Sequence, residues 1–295
     1  MSVSFCGLEL AHPIVNGSGT FDAIAARLAF GPGFDEVFPF SAYVSKTITA
    51  APRAGNPPPR LFEVPAGLIN SIGLPNKGLD GYLESDLPQL ATLPVPLITN
   101  VMANSAEELA PLIEALDARP EVAALELNVS CPNVRTGLDI GSDAGELGRF
   151  VSAVRPLSAK PLIVKLTPNA ADVPGIAQAA EAAGADAVSL LNTLRAFAPA
   201  PRGGGAAWLG GETGGMSGPA VRAVALAQVR AVAARVAIPI VGMGGVATGR
   251  DARAFLDAGS TLVGVGTESF RDALAGARIR DELAELSANS GLVFS

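Results

Sequence analysis

PLIVKLTPNAADVPGIAQAAEAAGADAVSLL, residues 161–191, contains one full turn of the fold. It opens with an apolar run, 161–166, and closes with another, 185–191. Between them Asp172 stands where a helix N-cap accepts free backbone N–H groups. Gly184 stands where a helix ends. Both runs are nearly continuously apolar rather than alternating, which is the pattern of parallel strands covered on both faces.

The same unit recurs on either side. Further apolar or β-branched runs lie at 13–17 (PIVNG), 42–46 (AYVSK), 95–101 (VPLITNV), 122–130 (VAALELNVS), 238–243 (IPIVGM) and 261–265 (TLVGV). Ser105 and Glu108 form a capping box ahead of Leu109, Leu112, Ile113 and Leu116 at helical spacing. Thr248 and Asp251 give another helix start, with Gly259 as its stop. Strand and helix alternating eight times over 295 residues predict a single α/β domain, 1–295, folded as a (β/α)8 TIM barrel. A doubly wound open sheet is the structural alternative, and the regular spacing and total length favour the barrel. Residues 3–10 (VSFCGLEL) read as a short N-terminal β-hairpin. Three longer connections, 47–80, 132–142 and 192–218, are rich in Gly, Pro, Asn and Ser. All follow strands, so a barrel puts them on its C-terminal face, where such folds build their sites.

Composition narrows the chemistry. With a net charge of −7, a general nucleic-acid surface is not expected. No apolar run approaches the roughly 18–20 residues of a membrane span, and the N-terminus lacks a signal-peptide layout, so a soluble cytoplasmic protein is expected. Two cysteines and one histidine are too few for a structural zinc site, which takes about four such ligands. No metal is expected, and redox chemistry would need an organic cofactor.

Polar residues gather where the strands end: Lys46, Asn100, Asn128, Lys165, Asn192 and Thr267. A single lysine here reads most simply as a snorkelling surface residue. Two lysines and three asparagines on one rim point instead to an anionic ligand. Two glycine-rich turns, GMGGVATG (242–249) and GVGT (264–267), follow the last two strands. Barrels often bind phosphate there through backbone N–H groups. Gly244, Gly245, Gly266 and Thr267 are the candidates, against a reading as ordinary tight turns, and FMN fits a phosphate joined to a planar ring.

Cys131 follows the fourth strand in NVSCPN (128–133). A thiol there is a base, a nucleophile or an inert apolar residue. Its flanking asparagines and the lysines on the same rim favour a functional role. Cys6 and His12 read as structural.

These residues resemble a known family. NVSCPN is similar to the active-site motif of dihydroorotate dehydrogenases of the soluble, cysteine-using class. VSKT (44–47), GNPPPR (55–60), NSIGLPN (70–76), IVKLTPN (163–169), TGGMSGPA (213–220) and GMGGV (242–246) match in order, so the resemblance covers about residues 13–272. Several stretches look most like class 1B, the catalytic subunit that works with an FAD- and iron–sulfur-containing electron-transfer subunit and passes electrons to NAD. The chain departs from the family at Phe21-Asp22, where a Gly-rich turn is usual, at Arg222-Ala223, and in the Gly/Ala/Pro-rich loop 195–212.

The resemblance implies FMN-dependent oxidation of (S)-dihydroorotate to orotate in pyrimidine (UMP) biosynthesis, with Cys131 as general base and hydride transfer to the flavin. It implies FMN contacts from Ser18, Gly19, Lys46, Thr47, Asn100, Asn128, Lys165, Gly218, Gly244, Gly245, Gly266 and Thr267. Substrate contacts fall on Lys46, Asn70, Ile72, Gly73, Leu74, Asn128, Asn133, Asn192 and Thr193. A homodimer, or a heterotetramer with the electron-transfer subunit, is implied as well. Three other readings stay open: a uracil- or dihydropyrimidine-type FMN barrel, a Schiff-base aldolase using Lys165, and a non-catalytic flavin-binding subunit.

Overall fold

The computed structural model describes residues 2–129, 140–200, 203 and 205–290. Each of the eight apolar runs forms a strand: β3 (Ile14–Asn16), β4 (Tyr43–Val44), β7 (Leu97–Val101), β8 (Val122–Asn128), β9 (Leu162–Lys165), β10 (Ala187–Leu190), β13 (Ile240–Met243) and β14 (Leu262–Val265). They form one sheet in the order β3-β14-β13-β10-β9-β8-β7-β4, with every ladder parallel.

Apolar runs suit these strands because both faces are buried. Alternate residues such as Val15, Val44, Ile98, Ile163, Val241 and Leu262 pack together inside the sheet. Their neighbours, including Leu125, Leu127, Leu162, Val164, Val263 and Val265, pack outward among the helices. The layers are those of a (β/α)8 barrel.

The barrel closes between β3 and β4 without a strand ladder. Ser41 N–H donates to Ile14 O at 3.0 Å. Further along, the Asn16 side-chain amide bonds to both backbone groups of Val44. The sequence run at 42–46 shortens to the two residues of β4 because a side chain here takes the place of backbone.

The N-terminal hairpin is present as β1 (Val3–Phe5) and β2 (Leu8–Leu10), joined antiparallel. Its two-residue turn, Cys6-Gly7, has positive φ at both positions (49° and 82°), the geometry that matches strand twist. Phe5 and Leu10 are buried against Val15, Ala42 and Leu262, so the hairpin plugs the end of the barrel opposite the strand C-termini.

Helices follow the strands at the expected caps. Asp172 accepts from Gly175 N–H ahead of Val173–Ala182. Thr248 and Asp251 form a reciprocal capping box at Gly249–Asp257. At Ala106–Asp117 the box is half formed. Ser105 accepts from Glu108 N–H, but the Glu108 carboxylate reaches one residue further out, to Asn104 N–H at 3.0 Å. Among the described residues no helix is long and apolar enough to cross a membrane.

Two of the long connections are more ordered than their composition suggests. β5 (Leu61–Val64) and β6 (Gly67–Asn70) come from the first, and β11 (Leu194–Phe197) and β12 (Thr213–Ser217) from the third. They form a four-stranded antiparallel sheet, β11-β12-β6-β5. Its inner pair joins Asn70 to Gly215 and Leu68 to Ser217.

Candidate active site

Strand alternation builds the site. Along β8 the inward-facing positions are Ala124, Glu126 and Asn128. Along β9 they are Ile163 and Lys165, along β10 Ala187 and Ser189, and along β7 Ile98 and Asn100. One inward step toward the strand C-termini therefore turns the interior from aliphatic to polar. Lys46 continues this pattern just beyond β4.

Above the polar layer lies a cleft of about 310 Å³. It gathers most of the residues singled out in the sequence. Ser18, Gly19, Lys46, Thr47, Asn128, Lys165, Gly218, Gly244, Gly245, Gly266 and Thr267 line it, as do Asn70, Ile72, Gly73, Leu74, Asn192 and Thr193. Asn100 is absent from the lining: it is fully buried in the layer beneath. Cys131 and Asn133 lie outside the described residues.

The polar walls are tied to one another. Ser18 Oγ donates to Ser45 O at 2.7 Å and lies 3.4 Å from Thr47 Oγ1. Asn128 Nδ2 donates to Thr47 Oγ1 at 3.4 Å. Asn70 Nδ2 donates to Gly215 O at 3.1 Å, tying β6 to β12 within the antiparallel sheet. Asn192 Oδ1 accepts from Thr193 N–H at 2.9 Å. Asn169 bonds to Thr193 O and to Arg195 N–H, joining the loops after β9 and β10.

The two lysines differ. Gly19 has φ 73°, and a Cβ there would stand 3.0 Å from Lys46 Nζ, so a glycine lets that ammonium approach the backbone closely. Lys165 is only 6% exposed and makes no hydrogen bond or ion pair with any described residue. Its ammonium stands at the cleft, where an acceptor on a ligand would meet it.

At the other end, the two glycine-rich turns are braced from behind. Asp251 accepts from Ala247 and Thr248 N–H and pairs with Arg222 at 2.7 Å. From the C-terminal helix Ala275–Ser290, Arg278 bonds to Ala247 O, Glu268, Asp272 and Glu282. It thereby ties the turn after β13 to the one after β14. Thr267 Oγ1 donates to Ser217 Oγ at 2.9 Å.

The residues read as structural sit away from this cleft. Burial, reinforced by the Asp186 carboxylate, pushes the Cys6 thiol up to about 11, which leaves it protonated and unreactive. His12 Nδ1 accepts from Ile14 N–H at 3.3 Å, and burial lowers its pKa to about 4.

Sequence reading missed Glu126 and Ser189, both buried in the polar layer. A signal was present, because Glu126 interrupts an otherwise apolar run (VAALELN). It also missed Arg195, which lines the cleft from β11.

The comparisons agree with this architecture. The family model for dihydroorotate dehydrogenase matches residues 1–286. A dihydroorotate dehydrogenase B (NAD(+)) catalytic subunit of Geobacter sulfurreducens is 42% identical over 99% of this chain and 94% of its own length. The protein of the same name from Trichlorobacter lovleyi is 41% identical over 99% of this chain and 95% of its own. In fold, the chain resembles a crystal structure of DHODH in complex with ferulenol from Eimeria tenella. The TM-score is 0.80 at 23% identity, covering 99% of this chain and 85% of that one. The chain belongs to the dihydroorotate dehydrogenase family, and its resemblance within that family is to the B-type catalytic subunits.

Proposed function

We propose that this chain is an FMN-binding oxidoreductase that converts (S)-dihydroorotate to orotate in pyrimidine biosynthesis, acting in the cytoplasm. The observation that carries the reading is Lys165, 6% exposed and without an acceptor among the described residues, in a cleft also lined by Asn70, Asn128 and Asn192. The residues present fit a flavin. Among the described residues Lys165 has no acceptor and Asn100 Oδ1 is a buried oxygen without a partner, and glycine turns follow β13 and β14. Ser18, Gly19, Thr47, Asn100, Asn128 and Lys165 would hold its ring and chain. Gly218, Gly244, Gly245, Gly266 and Thr267 would hold its phosphate through backbone N–H groups. When bound, FMN supplies the two-electron acceptor that no side chain here provides.

The chain's own residues bind and orient the substrate and move one proton. Lys46 attracts the substrate carboxylate and stabilises negative charge developing in the cleft. Asn70, Asn128, Asn133 and Asn192, with Thr193, match the alternating N–H and C=O edges of a dihydropyrimidine, since each amide offers both a donor and an acceptor. The backbone of Ile72, Gly73 and Leu74 completes the substrate wall. Cys131 takes the proton from the ring carbon next to the one that loses hydride.

The relatives' names support a division of labour, because they describe a catalytic subunit and NAD(+). A second subunit carrying FAD and an iron–sulfur cluster would then take electrons onward to NAD, in a heterotetramer built on a dimer of this chain.

The test is the visible spectrum of the purified chain, recorded anaerobically before and after dihydroorotate is added. A yellow protein that bleaches supports both cofactor and substrate. A yellow protein unmoved by dihydroorotate rejects the substrate and turns attention to uracil-type compounds. A protein that stays colourless after incubation with FMN rejects the flavin reading, and borohydride trapping at Lys165 would then test a Schiff-base reaction.

A further inference from the structure

Beneath the cleft, three buried polar side chains from adjacent parts of the barrel wall are joined by hydrogen bonds. Asn100 Nδ2 donates to Glu126 Oε1. Ser189 Oγ donates to Glu126 Oε2 at 2.7 Å. Asn100 and Ser189 are fully buried, and Glu126 is 2% exposed. The backbone of Asn100 is held too, since its N–H donates to Ser45 Oγ at 3.1 Å.

This arrangement settles the direction of one amide. A carboxylate oxygen accepts hydrogen bonds, so the NH2 end of Asn100 must face Glu126. The carbonyl end faces away, and Asn100 Oδ1 is buried with no partner among the described residues. In native interiors such an oxygen is an exception that needs a reason. Asn100 is in register with Glu126, and the next inward residue on that strand is Asn128, which lines the cleft. The unmet acceptor therefore sits one step below the ligand space.

We propose that Glu126 is a positioning residue. It locks the Asn100 amide so that Oδ1 is presented as an acceptor for a ring N–H of the bound flavin, an inference that rests on the FMN reading above. Ser189 occupies the second carboxylate oxygen and keeps Glu126 from turning. Glutamine at 126 keeps the shape but offers either a donor or an acceptor, so it no longer dictates which end of Asn100 faces the ring.

The experiment compares the wild-type chain, Glu126→Gln, and the double variant Asn100→Asp/Glu126→Gln. The double variant has the same net charge as wild type with the carboxylate and amide exchanged. An amide donor at 126 then faces a carboxylate at 100, whose second oxygen is again an acceptor. For each protein, FMN is removed and titrated back by its fluorescence, the midpoint potential of the bound flavin is measured, and the melting temperature of the FMN-free form is recorded. Glu126→Gln should weaken FMN binding about 10-fold, the scale of one buried hydrogen bond. It should also displace the potential and leave FMN-free melting nearly unchanged. The exchanged pair should recover most of the affinity and return the potential toward wild type. Unchanged affinity and potential in Glu126→Gln overturn the proposal. So does a loss that the exchange fails to restore, which would make Glu126 a packing or charge element only. A wild-type chain that takes up no FMN overturns the flavin reading itself, and this proposal with it.

Discussion

Asn16 bonds to Val44 as one peptide group bonds to another. Its Nδ2 donates to Val44 O and its Oδ1 accepts from Val44 N–H, each at 2.8 Å. This pair joins the first strand of the barrel to the second. Asn16→Leu leaves a buried N–H and a buried C=O without partners, and each costs about 1–3 kcal/mol. We expect a loss of about 2–5 kcal/mol in urea unfolding, on the same scale. A midpoint within error of wild type would mean that the seam contributes little to barrel stability.

Lys165 should show opposite effects on stability and binding. Lys165→Met removes the charge from a side chain that is 6% exposed and has no acceptor among the described residues, so the FMN-free protein should melt higher. The same change should weaken FMN binding roughly 10- to 100-fold, the scale of a hydrogen bond to a charged group. Differential scanning fluorimetry with and without FMN reads both effects.

Cys131→Ala should keep its flavin and lose turnover by several orders of magnitude. Cys131→Ser should retain a small residue of activity, because a hydroxyl is a far weaker base. In the wild-type chain the rate of flavin reduction should rise with pH through the thiol range near ~8.5. Stopped-flow reduction by dihydroorotate measures all three, and normal reduction in the alanine variant would remove Cys131 from the mechanism.

His12 gives the fold a pH dependence of known sign. Burial lowers its pKa from 6.5 to about 4 in the folded protein. In that window the unfolded chain binds a proton that the folded one does not. Its stabilising contribution is therefore complete above pH 6.5 and is lost as pH falls toward 4. His12 is the only histidine, so His12→Asn should flatten the stability profile between about pH 5 and 7, where ordinary carboxylates have largely finished titrating. Parallel slopes for the two proteins across that range would contradict this.

The barrel was legible because each of its strands is buried on both faces and so reads as an unbroken apolar run, as LIVK and LVGV do. The antiparallel cover sheet was not. Its strand TGGMS reads as a loop, and its glycines are there for close approach, since a Cβ at Gly215 would collide with the Thr193 side chain. Its pairing partner, Leu68–Asn70, lies almost half the chain away, beyond the reach of local pattern. Lys46, Lys165 and the rim asparagines stood out as polar residues at strand ends. Asn16 did not, because its role depends on Val44, which only the closed barrel brings within reach.

The plugged end of the barrel has a consequence for how the chain is made. Residues 3–10 leave the ribosome long before residues 262–265, yet Phe5 and Leu10 rest partly on Leu262, and Ile14 pairs with Val263. The hairpin has no finished surface to dock on until residues 262–265 have been synthesised. Such distant contacts slow folding and leave apolar segments exposed meanwhile. During translation the first strand of the barrel thus waits for the last.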